Sequence, residues 1–254
     1  MYRRICYFLL LFLSVPLFLT AKDLPAKSFV TGNQQYAKGQ YAEAVKSYMK
    51  LVDSGYQATE VYFNLGNAYY KLDDMSSAIL YYEKAYKLSP GDEDIKVNLQ
   101  FANQKITDKI EAVPEFFLLQ WWRGFVMSLS LNAWSFIGVF GILFGFVALS
   151  VYLLINVVQL KKTAFYAGLV LLALGLFSLF IASNQNNYFE TGNQAIVFNG
   201  SVDVKSGPQT NMKTLFVIHE GLKVNIRESE NGWIKIELPN GNVGWIESVA
   251  VKEI

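Results

Sequence analysis

The side chains that most often do chemistry are scarce in this chain of 254 residues, which holds one histidine, His219, and one cysteine, Cys6. A catalytic triad or a histidine-based metal centre needs several such groups converging on one atom, so neither can be built from a single imidazole. There is no glycine-rich phosphate loop, no nucleophile elbow and no set of paired metal ligands. Carboxylate-only chemistry is the one enzymatic route the residues leave open. The expectation is therefore a protein that is not an enzyme and carries no cofactor. A formal net charge of +1, without a long basic stripe, argues against nucleic acid as a partner, because phosphate binding needs clustered cations.

The elements that must position whatever remains are organised around two apolar runs, Trp134 to Val158 and Thr163 to Ala182. Neither contains Asp, Glu, Lys, Arg or His, and each is long enough to cover a hydrocarbon core of roughly 30 Å. The spacing predicts membrane-spanning helices over 134–158 and 163–183, joined by the short loop 159–162. A connection that short makes an antiparallel hairpin, so residues 22–133 and 184–254 lie on one side of the lipid bilayer. Lys161 and Lys162 sit in the loop, and short lysine-bearing loops stay cytoplasmic. Both soluble parts are thus expected outside the cytoplasm. Trp121, Trp122 and Trp134 on one flank, with Tyr188 and Phe189 on the other, fit interfacial aromatic belts. Gly141 and Gly145, and Gly168 and Gly175, allow close packing of the two helices or of a partner helix. They also fit the plain abundance of glycine in membrane helices.

Residues 1–21 have the layout of a secretory signal. Arg3 and Arg4 precede an apolar core from Ile5 to Leu19, and Thr20-Ala21 leads into polar Lys22-Asp23. If that segment is removed, Cys6 goes with it and the remaining chain has no thiol.

Between residues 22 and 112 the chain repeats itself at an offset of 34. Gly32-Asn33 aligns with Gly66-Asn67, Tyr36 with Tyr70, Ala44 with Ala78, Val45 with Ile79, Tyr48 with Tyr82, and Lys50 with Lys84. That period and pattern resemble the tetratricopeptide repeat. In the second copy Tyr62, Leu65, Gly66, Tyr69, Ala78, Tyr82, Ala85 and Pro90 fall on the signature positions. The first copy departs, with Ser28, Gln35 and Tyr56 at three of them. Small residues let paired helices approach, and Gly39 and Asp73 mark the turns within each pair. A further helix, Asp92 to about Ala112, carries Ile95, Leu99, Ala102, Ile106 and Ile110 at helical spacing. It reads as a cap over the open end of the array. The resemblance implies a concave groove faced by Phe29, Asn33 and Tyr36 of one repeat and Phe63, Asn67, Tyr70 and Lys71 of the next. Asparagine amides would meet a peptide backbone and Lys71 a carboxylate.

Residues 113–133 break the array at Val113-Pro114 and continue with Phe116, Phe117, Leu118, Leu119, Trp121, Trp122 and Phe125. Two readings stand: a segment lying in the headgroup layer, or an extension of the first membrane helix.

From 184 to 254 the composition turns to short strands, over Ala195 to Phe198, Val202 to Lys205, Leu215 to His219, Leu222 to Glu228, Gly232 to Leu238 and Val243 to Ile246. Turn signals separate them, Glu230-Asn231-Gly232 among them. These residues resemble a bacterial Src-homology-3-like barrel. Val202-Asp203-Val204-Lys205-Ser206-Gly207-Pro208 looks like its opening motif, with Lys205 for the usual arginine. Gly232-Trp233-Ile234-Lys235-Ile236 and Gly244-Trp245-Ile246 look like its tryptophan strands. Such domains bind short peptides or cell-wall material, and Trp233 with Tyr188 or Phe198 would line a shallow aromatic groove. Trp233 and Trp245 equally suit barrel packing, and His219 beside Glu220 reads as a surface strand residue.

The fold class is therefore a multidomain membrane protein: an all-α repeat array, a two-helix hairpin and an all-β barrel. That order, with Asp94-Ile95-Lys96-Val97-Asn98-Leu99, Asp108-Lys109-Ile110-Glu111, Pro114-Glu115 and Trp121-Trp122-Arg123 between the modules, resembles the BatE family of bacterial aerotolerance (Bat) operons. The resemblance implies a scaffold in the bacterial inner membrane, connected with oxidative or envelope stress. Its partners would be other Bat-operon products, among them membrane proteins with von Willebrand factor type A domains. The alternative is a sensor whose barrel binds peptidoglycan.

Overall fold

The computed structural model describes residues 24–111, 113–191 and 193–254. The signal segment expected at 1–21 lies outside the described residues. Four helices, α1 (Leu24–Ala37), α2 (Tyr41–Asp53), α3 (Thr59–Lys71) and α4 (Met75–Leu88), make two helical pairs. The turns use left-handed backbone at equivalent positions, Gly39 (φ 74°) and Asp73 (φ 63°). Aspartate is one of the few residues with a side chain that tolerate this region. Asp74 then caps α4, its Oδ1 accepting from the Ser77 amide at 3.0 Å. Gly66 is small for a reason of space, since a β-carbon there would stand 2.5 Å from the Tyr82 ring. Gly32 meets Tyr48 in the same way one repeat earlier.

The fifth helix, α5 (Glu93–Lys105), is capped by Asp92, whose Oδ1 accepts from the Asp94 and Ile95 amides. It ends at Lys105, short of the expected Ala112. Ile106 turns to extended backbone (φ −72°, ψ 160°), and residues 106–111 are neither helix nor strand. A spacing of four residues is close to one helical turn and equal to two strand periods, so Ile106 and Ile110 satisfy both patterns. Nor does α5 cap the array alone. Its Val97 and Phe101 are exposed, while Ile196, Phe198 and Ile254 of the barrel pack with Ala78, Ile79, Leu80 and Ala102 of the array. The barrel covers the flank where a sixth repeat helix would lie.

Helix α6 (Phe117–Val126) is separate from the membrane helix that follows, which Ser130 caps by accepting from the Ala133 amide. Of the two readings of this stretch, the extended membrane helix is the one excluded. Phe116, Phe117, Leu118, Leu119 and Trp121 of this segment are all more than half exposed.

The two apolar helices are α7 (Leu131–Leu154) and α8 (Val158–Thr191). Each contains a window of mean hydropathy 2.4, which associates the chain with a membrane. The bend is Ile155 to Val157, and Lys161 and Lys162 fall in the first turns of α8 rather than in a loop. The helix also runs through 184–191, expected to belong to the barrel. Ser183 to Thr191 holds no proline or glycine to stop it. Gln185, 1 % exposed, anchors that extension by donating to the Val126 and Leu129 carbonyls at 3.1 and 2.8 Å. The helices meet closely: a β-carbon on Gly141 would stand 3.0 Å from the Gly175 Cα.

The barrel domain is an antiparallel sheet in the order β3-β2-β6-β5-β4-β1-β7. Its strands are β1 (Gln194–Val197), β2 (Ser201–Lys205), β3 (Thr214–His219), β4 (Lys223–Glu230), β5 (Trp233–Glu237), β6 (Val243–Glu247) and β7 (Val251–Glu253). Ala195, Val204, Ile218, Val224, Ile236 and Ile246 fill the core. Gly232, expected in a strand, is in the turn. Asn231 (φ 48°) and Gly232 (φ 82°) join β4 to β5 where Glu230 pairs with Trp233, as a two-residue hairpin loop requires. The unexpected seventh strand, three residues long, pairs with β1 after a 3-10 turn.

Array, membrane base and barrel touch one another. Lys223 of β4 donates to the carboxylate of Glu83 in α4 at 2.7 Å. The rings of Tyr86 and Phe189 meet edge to face at 6.3 Å, and Gly91 abuts the Ser128 carbonyl.

Candidate functional site

The concave side of the array is organised by asparagines. The Asn33 side-chain oxygen accepts from the Tyr48 hydroxyl at 2.7 Å and from the Asn64 amide at 3.0 Å. One repeat on, Asn67 accepts from Tyr82 at 2.7 Å and from Asn98 at 2.8 Å. Asn98 lies 34 residues after Asn64, so α5 continues the pattern although it has no partner helix. Both bonds are made at oxygen, so the two amide hydrogens of Asn67, a residue that lines the groove, are not used in them.

The tyrosines hold this geometry at any physiological pH. Burial pushes the Tyr48 phenol up to about 12, with Tyr36 adding to the effect. Burial raises Tyr82 as well, helped by Tyr36 and Tyr70. Both remain protonated donors.

A cavity of about 280 Å³ opens on this surface, lined by Tyr36, Asn67, Tyr70, Lys71, Tyr82, Asn98 and Phe101. Four of the seven residues expected in the groove, Tyr36, Asn67, Tyr70 and Lys71, are brought together there. Lys105 stands 4.2 Å above the Tyr70 ring, so cationic and aromatic character meet at one wall. Asn33 is exposed one repeat away, tied to the cavity side through Asn64. Phe29 and Phe63 are packing residues instead. Their rings lie 6.1 Å from Tyr48 and 5.9 Å from Tyr82, against the array core. Tyr82, Asn98 and Phe101 line the cavity without having been expected in it. The echo of Asn64 by Asn98 at the repeat offset was the signal for one of them.

The aromatic groove expected on the barrel does not form, because its three residues are dispersed. Tyr188 belongs to α8 and stacks edge to face on Phe189 at 5.3 Å, with the Arg123 guanidinium 5.7 Å over its ring. Phe198 packs at the seam with the array and lies under Lys252. Trp233 alone lines a hollow on the barrel, about 340 Å³, together with Asn199, Ser201, Asp203, Lys205, Thr210 and Glu247 among others. At its edge Lys205 donates to Asp203 at 2.9 Å and to Thr214 at 2.7 Å. The lysine that replaces arginine in the opening motif therefore braces β2 against β3. The Lys205 bond, with a second from the Thr214 hydroxyl at 3.2 Å, holds the Asp203 carboxyl below its ordinary range.

His219 is not a free surface residue. Its backbone N–H donates to Asp108 Oδ2 at 2.6 Å, and its ring Nδ1 is 2.9 Å from Asp108 Oδ1. Among the described residues no three of His, Cys, Asp and Glu are grouped to hold a metal ion.

Comparison with known families agrees with the modules. Residues 29–93 match the tetratricopeptide repeat model, and residues 200–252 match the bacterial SH3 domain model. No curated protein matches the chain. Repeat array, apolar helix pair and SH3-like domain give the chain the capacity to bind proteins or cell-wall material at a membrane.

Proposed function

We propose that the chain is a non-enzymatic membrane scaffold that takes an extended segment of a protein partner in its repeat groove. The observation that carries this reading is the asparagine-lined cavity, where Asn67 offers amide hydrogens beside Tyr36, Tyr70 and the Lys71 ammonium. Main-chain carbonyls and a carboxylate are the groups such a wall recognises. The order of modules and its resemblance to the BatE family support a place in a Bat membrane complex, with von Willebrand type A membrane proteins as partners. Lys161 and Lys162, in the turns of α8 that follow the hairpin bend, support a cytoplasmic bend and periplasmic heads.

A photo-crosslinking residue at Tyr70 in native membranes tests the reading. It should capture a discrete partner, and the same probe at Tyr56, exposed and outside the cavity, should not. Capture that survives Asn67→Asp together with Lys71→Glu would sink the groove. Identification of partners without von Willebrand domains would sink the Bat assignment alone. The hollow at Trp233 favours a second reading, in which the barrel binds cell wall. Purified wall should then retain the solubilised full chain saturably, and Trp233→Ala should abolish the retention.

A further inference from the structure

The segment that follows α5 lies on the barrel in the manner of a bound peptide. From Ile106 to Glu111 exposure alternates residue by residue, with Ile106, Asp108 and Ile110 partly buried and Thr107, Lys109 and Glu111 exposed. That is the period of an extended chain with one face against a surface. Each inward residue has its own anchor. Ile106 sits on Gly221, where any β-carbon would strike it. Asp108, its side chain 15 % exposed, takes the backbone N–H of His219 and faces the ring nitrogen. Ile110 packs against the barrel core. Further on, the Val113 amide donates to the Pro239 carbonyl at 3.1 Å.

The receiving surface has the chemistry of a peptide site. His219 ends β3, an edge strand of the sheet, and edge-strand amides without a sheet partner are ready donors. Gly221, at φ 84°, leaves the surface open where Ile106 lands. An ordinary interdomain linker has no need of a carboxylate fitted to one edge amide, nor of apolar side chains two residues to either side of it.

We infer that this barrel face, from Gly221 past His219 to Pro239, is a binding site for extended peptides of the pattern apolar-x-Asp-x-apolar, and that residues 106–110 occupy it in cis. The site is distinct from the groove of the array and from the Trp233 hollow, and it stands whether or not the groove takes a partner. Because the occupant begins where α5 ends, a competing peptide that displaces it frees the connection between array and barrel, while the Glu83–Lys223 pair and the packing of Ile196, Phe198 and Ile254 on the array remain. Tethering sets the cis peptide at an effective concentration on the order of millimolar. A free peptide therefore binds wild type poorly and binds well once the cis copy is weakened.

The test uses the full chain in nanodiscs and a fluorescein-labelled peptide with the sequence of residues 105–113, followed by anisotropy. Asp108→Ala with Ile110→Ala should bind the peptide saturably, at least about tenfold more tightly than wild type, the shift expected when a roughly millimolar competitor is removed from a site whose Kd for the peptide is about 0.1 mM or below. A peptide with alanine at the Asp position should not bind. Asp108→Asn keeps the side-chain shape and tests the same point without risk to folding, and its affinity should be intermediate. Hydrogen exchange on wild type should show the amides of His219 and Val113 protected, and addition of the peptide to the Asp108→Ala, Ile110→Ala variant should restore the His219 protection that variant loses. Equal peptide binding by wild type and both variants, no binding by either variant, or unprotected exchange of the His219 amide in wild type would each overturn the inference.

Discussion

The ion pair between Glu83 and Lys223 allows the seam between array and barrel to be tested quantitatively. Glu83 is 8 % exposed at the side chain and Lys223 32 %, and their charged atoms are 2.7 Å apart. Breaking a buried pair by deleting one partner costs about 3–5 kcal/mol, chiefly because the other charge is stranded. Lys223 keeps a third of its surface in water, so the figure for this pair falls to roughly 2 kcal/mol for Lys223→Met, which strands the carboxylate. Glu83→Gln strands an ammonium that water can reach, and should cost about 1 kcal/mol. Replacing both by methionine leaves no charge stranded and should come out close to wild type. Hydrogen exchange of the β4 amides in the full chain, held in nanodiscs, measures this locally. A loss of 2 kcal/mol is about a 30-fold loss of protection. Double-variant protection as poor as that of Lys223→Met would refute the reasoning, and so would a single variant indistinguishable from wild type.

Three further outcomes follow from the array. Gly66→Ala drives a methyl into the Tyr82 ring and should cost about 1–3 kcal/mol in thermal unfolding, with Gly32→Ala behaving alike. Tyr82→Phe removes one of the two donors that fix Asn67, at a cost of about 1 kcal/mol, and should weaken partner crosslinking at Tyr70. Lys84→Met should raise the melting temperature at neutral pH. Burial lowers the Lys84 pKa, with Lys87 and Lys252 adding to it, so the folded state resists this charge below its depressed pKa. The penalty fades as pH rises from that value to the unfolded 10.5, and the advantage of methionine should fade over the same interval.

Most of the architecture is legible because each module follows a strong period. The offset of 34 places Gly39 and Asp73 at equivalent turns and Gly32 and Gly66 at equivalent contacts, and the uncharged runs mark the helix pair. The failures are equally physical. Ile106 and Ile110 are four apart, which suits helix and extended chain alike, and only the barrel decides between them. Ser183 to Thr191 is mostly polar, which set the barrel boundary at 184, yet polarity does not end a helix that lacks proline or glycine. Its Gln185 gains two carbonyl partners by staying helical. The barrel groove was drawn from Trp233 with Tyr188 or Phe198 on aromatic character alone, whereas each found its own neighbour. The repeat groove fared better because a fixed offset specifies a face, which aromatic character alone does not.

The glycines of the hairpin constrain how a partner can approach. Gly138 and Gly145 of α7 lie against Leu179 and Leu172, and Gly141 lies against Gly175. Gly168 of α8 in turn receives Leu149. The close-packing face is therefore consumed within the hairpin, and a neighbouring membrane helix cannot use it without parting α7 from α8. What α7 presents outward is an aromatic ladder, Phe136 over Phe140 at 6.5 Å and Phe140 over Phe144 at 6.1 Å, with all three rings exposed. Contact with lipid or a partner helix falls to those rings and to exposed aliphatic side chains such as Val139 and Leu143 of α7 and Val170 and Leu174 of α8. The ladder offers no donor or acceptor with which to discriminate, so on the proposed reading hydrogen-bonded selectivity between partners belongs to the groove and the barrel face.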